Sequence, residues 1–197
     1  MRRFEIINNW IDKNSKVLVL GCGNGDFLVE LNSARMTKSQ GIDINSEKVY
    51  EAISRGLSVI QGDINTDLAD YPENSFDYII AHDVIQIMEK PDAVVKQIIK
   101  LGRNVIISFP NFAYLPIRLT IFFSGRMPKT KVLPYEWYDS PNIHLFTIKD
   151  FKDFCKKENI IISRQHYTGF GKRNIPGCAS PNLFSEFAYF MISGIKK

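Results

Sequence analysis

The chain has 197 residues, enough to bury one full core but not two. Apolar residues make up 45% and the net charge is +4, so a soluble globular domain is expected rather than a strongly cationic nucleic-acid binder. No apolar run reaches the length of a membrane span, three cysteines and three histidines lack metal-ligand spacing, and no serine sits in a G-x-S-x-G elbow.

The N-terminal stretch, Phe4 to Ile11, reads as an amphipathic helix without the apolar core or cleavage site of a secretory signal. Cys22, Cys155 and Cys178 are then expected as reduced thiols in a cytoplasmic protein. Val17 to Leu20 reads as a buried strand that turns through Gly21, Gly23 and Gly25 into a helix carrying Phe27, Leu28 and Leu31 at helical spacing. The glycines permit a tight turn and close approach to a ligand, and the helix N-terminus behind them favours an anionic group such as a phosphate or carboxylate. The alternative is a tight turn and nothing more. The spacing is G-x-G-x-G, and Asp26 stands where a dinucleotide fingerprint needs Gly or Ala, which disfavours a pyrophosphate ligand. Cys22 fits this loop as a small side chain better than as a nucleophile. Gln40 to Asn45 reads as a second strand ending in Asp43, about twenty residues past the glycines, where a carboxylate takes ribose hydroxyls. A strand-end Asp, or a cap for the next helix, is the alternative. That helix spans Ser46 to Arg55 with Val49, Ala52 and Ile53 inward, and Gly56 stops it. A third strand follows at Leu57 to Gln61.

This arrangement resembles a class I S-adenosylmethionine (SAM) methyltransferase. The resemblance implies SAM or S-adenosylhomocysteine as cofactor. Its methionine end would lie over Gly21, Cys22, Gly23, Asn24 and Gly25, and its ribose on Asp43 beside Ile44. Its adenine would lie along Gly62, Asp63 and Ile64. The family usually has an acid two positions before the first glycine, where this chain has Val19.

Asp67 to Tyr71 reads as a short helix and Phe76 to Ala81 as a fourth strand ending in His82 and Asp83. Ligands of open parallel sheets bind outside the carboxyl ends of the strands. His82 is therefore either a base near the reacting centre or a residue at the cofactor edge or a helix cap, and Asp83 is its neighbour. The segment is Ala-His-Asp-Val, not Asn/Asp-Pro-Pro-aromatic, so methylation of bases or protein amides by that route is not expected. A helix at Pro91 to Leu101 and a fifth strand at Val105 to Phe109 complete the alternation that defines an α/β domain.

Residues 110 to about 146 break the pattern. They are aromatic and proline-punctuated, and suit a lid or an interface within a single 1–197 domain. Tyr135, Asp139 and His144 are candidates there, with a structural hydrogen-bonded role as the alternative for His144. The cationic run Arg126 to Lys131 reads as a solvated loop, with a subunit contact in a homo-oligomer or an anionic substrate as alternatives.

Ser108 to Asn111, Gly125 to Pro128, Leu133 to Tyr135, Trp137 to Asp139 and Pro141 to Leu145 resemble the methionine biosynthesis protein MetW family. So do Gln61 to Asp63, Phe76 to Ile79 and Pro181 to Leu183. The resemblance implies a methyltransferase fold and a role as companion of homoserine O-acetyltransferase.

Past the insertion, Thr147 caps a helix over Ile148 to Glu158, with Phe151, Phe154 and Cys155 inward. A sixth strand covers Ile160 to Ser163, a glycine-rich mobile loop covers His166 to Pro181, and a seventh strand covers Phe184 to Ile195 with Phe187, Tyr189 and Met191 on one face. The fold expected is a Rossmann-like, seven-stranded, mostly parallel sheet with helices on both faces and an antiparallel last strand. The function expected is a SAM-binding companion or regulator in methionine synthesis. The alternatives are a free-standing small-molecule methyltransferase and a scaffold without cofactor, and neither a metal, a membrane nor a nucleic acid is expected as a partner.

Overall fold

Strands that are apolar on both faces need helices on both faces, and that requirement sets the architecture. The computed structural model describes residues 3–130, 133–169, 173–174 and 180–194. In chain order these form α1 (Arg3–Asn8), β1 (Lys16–Leu20), α2 (Asp26–Arg35), β2 (Lys38–Asp43), α3 (Ser46–Ser54), β3 (Val59–Gln61), β4 (Phe76–His82), α4 (Pro91–Leu101), β5 (Gly102–Pro110) and α5 (Leu115–Ser124). They continue with α6 (Ile148–Lys157), β6 (Ile161–Gly169), β7 (Arg173–Asn174), α7 (Pro181–Phe184) and β8 (Phe187–Ser193), and single 3₁₀ turns lie at Asp67–Asp70 and Ile85–Ile87. One sheet has the order β3-β2-β1-β4-β5-β8-β6-β7. The first five strands are parallel, and β8 lies antiparallel between β5 and β6.

Alternate residues of each strand feed two apolar layers. Val17, Val19, Ile80, Ile106 and Tyr189 pack with Phe27, Leu31, Val49 and Ala52 of α2 and α3. Leu18, Leu20, Ile79, Ile107 and Phe190 pack with Val94, Ile98, Phe151 and Cys155 of α4 and α6. Fully buried side chains of this size contribute about 1.5–3 kcal/mol each, so the two layers fix the strand register. The helix ends are marked in the sequence. Thr147 accepts from the Asp150 N–H while Asp150 accepts from the Thr147 N–H, a capping box. Asn45 caps α3 by accepting from Lys48 N–H at 3.0 Å.

Seven strands with the last one antiparallel are present as expected, and the two-residue β7 is added at the edge. Phe187, Tyr189 and Met191 share one layer, as their alternation requires. Several expected details are corrected. α1 ends at Asn8, not Ile11. Ile53 is 51% exposed, because it lies one residue, and so about 100° of helix turn, past the buried Ala52. β6 runs on to Gly169, so residues 166–169 are strand and not loop. Its Arg164, Gln165 and His166 pair with Met191, Phe190 and Tyr189, which their polarity concealed. Residues 181–184 form α7, so the last strand begins at Phe187. Cys178 and the rest of the expected glycine-rich loop between 170 and 179, apart from β7, lie outside the described residues. Cys22 and Cys155 are free and buried. No helix among the described residues is long and apolar enough to cross a membrane.

One buried amide ties the insertion to this frame. Asn111 is wholly buried and follows β5. Its Nδ2 donates to the Asn182 carbonyl at 3.0 Å and the Ser185 carbonyl at 2.7 Å. Its Oδ1 accepts from Ala113 N–H at 3.2 Å and Ile148 N–H at 3.3 Å. The start of the insertion, the start of α6 and the end of α7 therefore meet on one side chain. Asn111→Ala strands these four groups and is expected to lower stability by roughly 2–4 kcal/mol in urea unfolding. Gly41 shows the same tightness in the sheet: an added Cβ would lie 2.5 Å from Cys22 Sγ and 2.9 Å from Leu28 Cδ1. Gly41→Ala is expected to cost about 1–3 kcal/mol, with part of the loss recovered when Cys22→Ala is combined with it.

Candidate functional site

The carboxyl ends of β1, β2, β3 and β4 lie side by side, and Gly21, Gly23, Gly25, Asp43, Gly62, Asp63, His82 and Asp83 fall there. The β1–β2 ladder runs on into the loop, because Gly21 N–H and Cys22 N–H both donate to the Ile42 carbonyl, at 2.8 and 3.2 Å. Gly21, Gly23 and Gly25 have φ of 62°, 55° and 82°, a region that L side chains disfavour. At Gly21 and Gly25 a Cβ would also collide, 2.7 Å from Val84 Cγ2 and 2.3 Å from Leu57 Cδ1. At Gly23 a Cβ would meet only Lys48 Cδ, at 3.9 Å. A side chain at Gly23 would thus meet no more than an ordinary van der Waals contact.

Asp43 closes the loop. Its Oδ2 accepts from Gly23 N–H at 2.7 Å and its Oδ1 accepts from Asn45 N–H at 3.0 Å. The anion expected at the glycine turn is therefore supplied by the chain itself. A second carboxylate, Asp26 at the start of α2, pairs with Arg55 Nη1 at 2.7 Å, and the same nitrogen donates to the Asn24 carbonyl at 2.8 Å. Asn24 turns its amide to Glu51 Oε1, at 3.2 Å. Cys22 is buried under the loop, and desolvation first and the Asp43 charge second push its thiol up to about 12. Ile44 beside Asp43 is 68% exposed, an uncovered apolar side chain at the site.

Past β3, Gly62 N–H donates to the Asp43 carbonyl at 3.0 Å. Asp63 is half-buried, and its Oδ1 accepts from the Asn65 N–H and side-chain amide, both at 2.8 Å. Asp63 N–H donates to Asp67 Oδ2 at 2.9 Å. The Thr66 hydroxyl and this Asp63 N–H hold the Asp67 carboxyl below its ordinary range. Ile64 points into the core with Ile42 and Leu68. A cavity of about 320 Å³ between Ile42, Ile60, Asp67, Asp70 and Tyr71 adjoins this turn.

On the other side of the loop, His82 Nδ1 is hydrogen-bonded to Ser108 Oγ. Its ring meets Phe4 of α1 at 5.5 Å and Phe187 at 5.9 Å between centroids. Phe4 also stacks on Phe27 of α2 at 4.5 Å. Phe4 thereby bridges α2 and the end of β4, a role that its place in a short N-terminal helix did not signal. Asp83 has φ of 60°, donates its N–H to the Ser108 carbonyl at 3.0 Å, and accepts from Gln86 Nε2 at 2.6 Å. Gln86 is 2% exposed, and its own carbonyl accepts from Ile143 N–H and His144 N–H, both at 3.0 Å. Gln86, unmarked in the sequence, thus joins the end of β4 to the end of the insertion. The His144 ring Nε2 lies 3.4 Å from the Glu89 carbonyl. His144 lines an apolar cavity of about 270 Å³ with Ile85, Val95 and Phe151, and neither His82 nor Asp83 lines that cavity. Tyr135 and Asp139 are exposed on the insertion.

The site therefore combines an uncrowded glycine, an exposed apolar side chain and carboxylates at the ends of β2, β3 and β4. It suits a ligand rich in hydrogen-bond donors and free of phosphates. Donor groups can share the remaining lone pairs of Asp43 and Asp63.

Known proteins share this fold. The family model of methionine biosynthesis protein MetW matches residues 2–192. A bifunctional methionine biosynthesis protein MetXA/MetW of Rhodopirellula baltica is 32% identical over 195 residues, which covers 93% of this chain and 31% of the relative. The chain thus spans about a third of that relative's length. Among solved structures, a SAM-dependent methyltransferase of Archaeoglobus fulgidus matches with TM-score 0.66 and 13% identity over 96% of this chain and 93% of its own. One of Methanosarcina mazei matches with TM-score 0.67 and 15% identity over 98% of both chains. The [4+2]-cyclase SpnF matches with TM-score 0.70 and 14% identity over 98% of this chain and 80% of its own. The shared fold therefore accommodates more than one activity.

The Cys22 environment gives a direct check. With its thiol pushed up to about 12, thiolate at pH 8 falls on the order of 10³-fold below that of an ordinary cysteine, and iodoacetamide labelling of folded protein is expected to slow by a similar factor. Cys22 and Cys155 both hold their protons more tightly folded than unfolded, so the unfolded state binds fewer protons above the ordinary value of 9.0. Stability should accordingly fall as pH rises from about 9 toward about 12. Urea unfolding at pH 8 and pH 10 checks the sign, and Cys155→Ala should flatten the slope.

Proposed function

The chain belongs to the family of methionine biosynthesis protein MetW, and from that premise we propose that it binds SAM or S-adenosylhomocysteine at the carboxyl ends of β1 to β4 and acts as companion or regulator of homoserine O-acetyltransferase. The observation that carries the binding half is the Asp43 carboxylate, fixed between Gly23 and Asn45 with Ile44 uncovered beside it. Held this way, Asp43 is oriented before a ligand arrives, and each of its oxygens keeps a lone pair for a ribose hydroxyl. Ile44 offers an apolar face to adenine, and Asp63 an acceptor to its amino group. The absence of a side chain at Gly23 leaves room for the methionine end. β1 adds no carboxylate: Val19 is 2% exposed in the apolar layer, so charge complementarity to a cationic ligand rests on Asp43, Asp63 and Asp83.

When bound, SAM supplies an electrophilic methyl group on a sulfonium. Around it, His82 and Asp83 serve to shape the edge: Ser108 and Gln86 engage them. This arrangement favours binding over turnover, and so the companion role over a free-standing methyltransferase. The companion half rests on the relative in which MetXA and MetW form one polypeptide. SAM lies downstream of methionine, so a SAM-binding companion of an early enzyme would carry feedback.

Calorimetric titration with SAM, and separately with S-adenosylhomocysteine, tests the binding half. A dissociation constant in the micromolar range is expected, with a loss on the order of tenfold or more in Asp43→Ala, since a hydrogen bond to a charged group is worth about 1.5–3 kcal/mol. Absence of heat with both ligands would overturn it. The companion half is tested by adding the chain to purified homoserine O-acetyltransferase. A changed rate or SAM response supports it, and an unchanged rate under both conditions contradicts it.

A further inference from the structure

α5 is the most apolar helix of the fold in sequence, Leu-Pro-Ile-Arg-Leu-Thr-Ile-Phe-Phe-Ser, yet only Ile117 of it is buried. Phe122 and Phe123 are 79% and 78% exposed and stand edge to face at 5.0 Å between centroids. Leu119 and Ile121 are exposed beside them. A helix that is apolar all round is normally covered on every side. Farther along the insertion, Trp137 and Tyr138 repeat the pattern, 79% and 70% exposed and edge to face at 5.5 Å. The two stretches belong to one body, because Leu133 packs on Tyr114 and Ile117, and Lys129 pairs with Glu136. Both ends of that body are fixed, by Asn111 at its start and by Gln86 at its end.

We infer that this insertion surface, with Phe122 and Phe123 at its centre, is the docking face for homoserine O-acetyltransferase, a proposal that rests on the companion reading above. Two observations select this occupant. The first is area. At ~150–250 Å² for a large side chain, Leu119, Ile121, Phe122 and Phe123 of α5 alone present on the order of 500 Å², more than half of the roughly 800 Å² that one partner gives a standard interface. Scattered surface residues do not reach this size. The second is the polypeptide of the relative, two thirds of which lies outside the part matched here. Joining the two modules in one polypeptide holds them at high effective concentration, and exposed aromatic anchors are the side chains that turn such an encounter into a specific contact. α5 carries no acid, and Arg118 and Arg126 flank the aromatic pair exposed to solvent. The complementary face is therefore an apolar groove with carboxylates at its rim.

The test is calorimetric titration of homoserine O-acetyltransferase into the wild-type chain, into Phe122→Ser/Phe123→Ser and, as a control, into Tyr50→Ser. Tyr50 is an equally exposed aromatic, 76%, but lies on α3. All three proteins should share one melting temperature, and SAM binding should be unchanged in the double variant. Binding by the wild type and by Tyr50→Ser, with a loss on the order of thirtyfold or more in the double variant, supports the assignment. Equal binding by all three overturns the docking face and leaves the companion reading standing. No binding by the wild type overturns both. Sedimentation of the wild type alone reads the other occupants: a dimer that the double variant abolishes, or pelleting with phosphatidylglycerol vesicles, would assign the face to a second copy or to a lipid surface, against the proposal.

Discussion

Two N–H groups converge on the Asp43 carboxylate, and the working end of the sheet is arranged around them. Gly23 donates from the β1 loop and Asn45 from the start of α3. The carbonyl of the same residue accepts from Gly62 after β3. The ends of three parallel strands are thus joined at one position. A neutral side chain there would leave the half-buried Gly23 N–H and the exposed Asn45 N–H short of a charged acceptor, a loss of about 1.5–3 kcal/mol for the Gly23 bond. The geometry also dictates the glycines. The loop must double back toward β2 within a few residues, which forces the positive φ values, while Val84 and Leu57 occupy the space that side chains at Gly21 and Gly25 would need. Of the three loop glycines, only Gly23 combines the positive φ with room for a side chain, and the proposed ligand face is there.

The second half of the molecule is organised by two buried residues, through the side-chain amide of Asn111 and the backbone carbonyl of Gln86. Asn111 takes the backbone of the insertion as it leaves β5, and Gln86 takes it as it returns past Ile143 and His144. Gln86 also holds Asp83 at the end of β4. One buried residue therefore touches both the rim of the ligand site and the root of the aromatic insertion. This gives the fold a short covalent and hydrogen-bonded route from site to surface, as a companion protein whose behaviour depends on a small ligand would require. The apolar face of α5 stands outside this frame and is not needed to hold it together.

The sequence displayed the parallel half of the fold because its signals are local. Apolar runs of four or five residues, a glycine turn, and an acid twenty residues on each sit within one βαβ unit. Thr147 announced α6 in the same way. The antiparallel half was less legible because its pairing is not local. In the sequence the sixth strand reads only to Ser163 and His166 reads as loop, until β8 pairs with Arg164, Gln165 and His166. α5 was hidden for a different reason: Pro116 stands in its first turn, where a helix tolerates it, and apolar residues on all sides give no helical period to read. At the site, Asp43 and the glycines were legible by spacing. Phe4, Gln86 and Asn111 were not, since each acts through partners 20 or more residues away that only the fold brings near.

A crystal structure of the chain grown with S-adenosylhomocysteine tests the central claim most directly. The account predicts that the ribose hydroxyls lie within hydrogen-bond distance of Asp43, with the homocysteine end over Gly23 and the adenine against Ile44. A nucleoside bound elsewhere, or one at the loop that leaves Asp43 untouched, would contradict it.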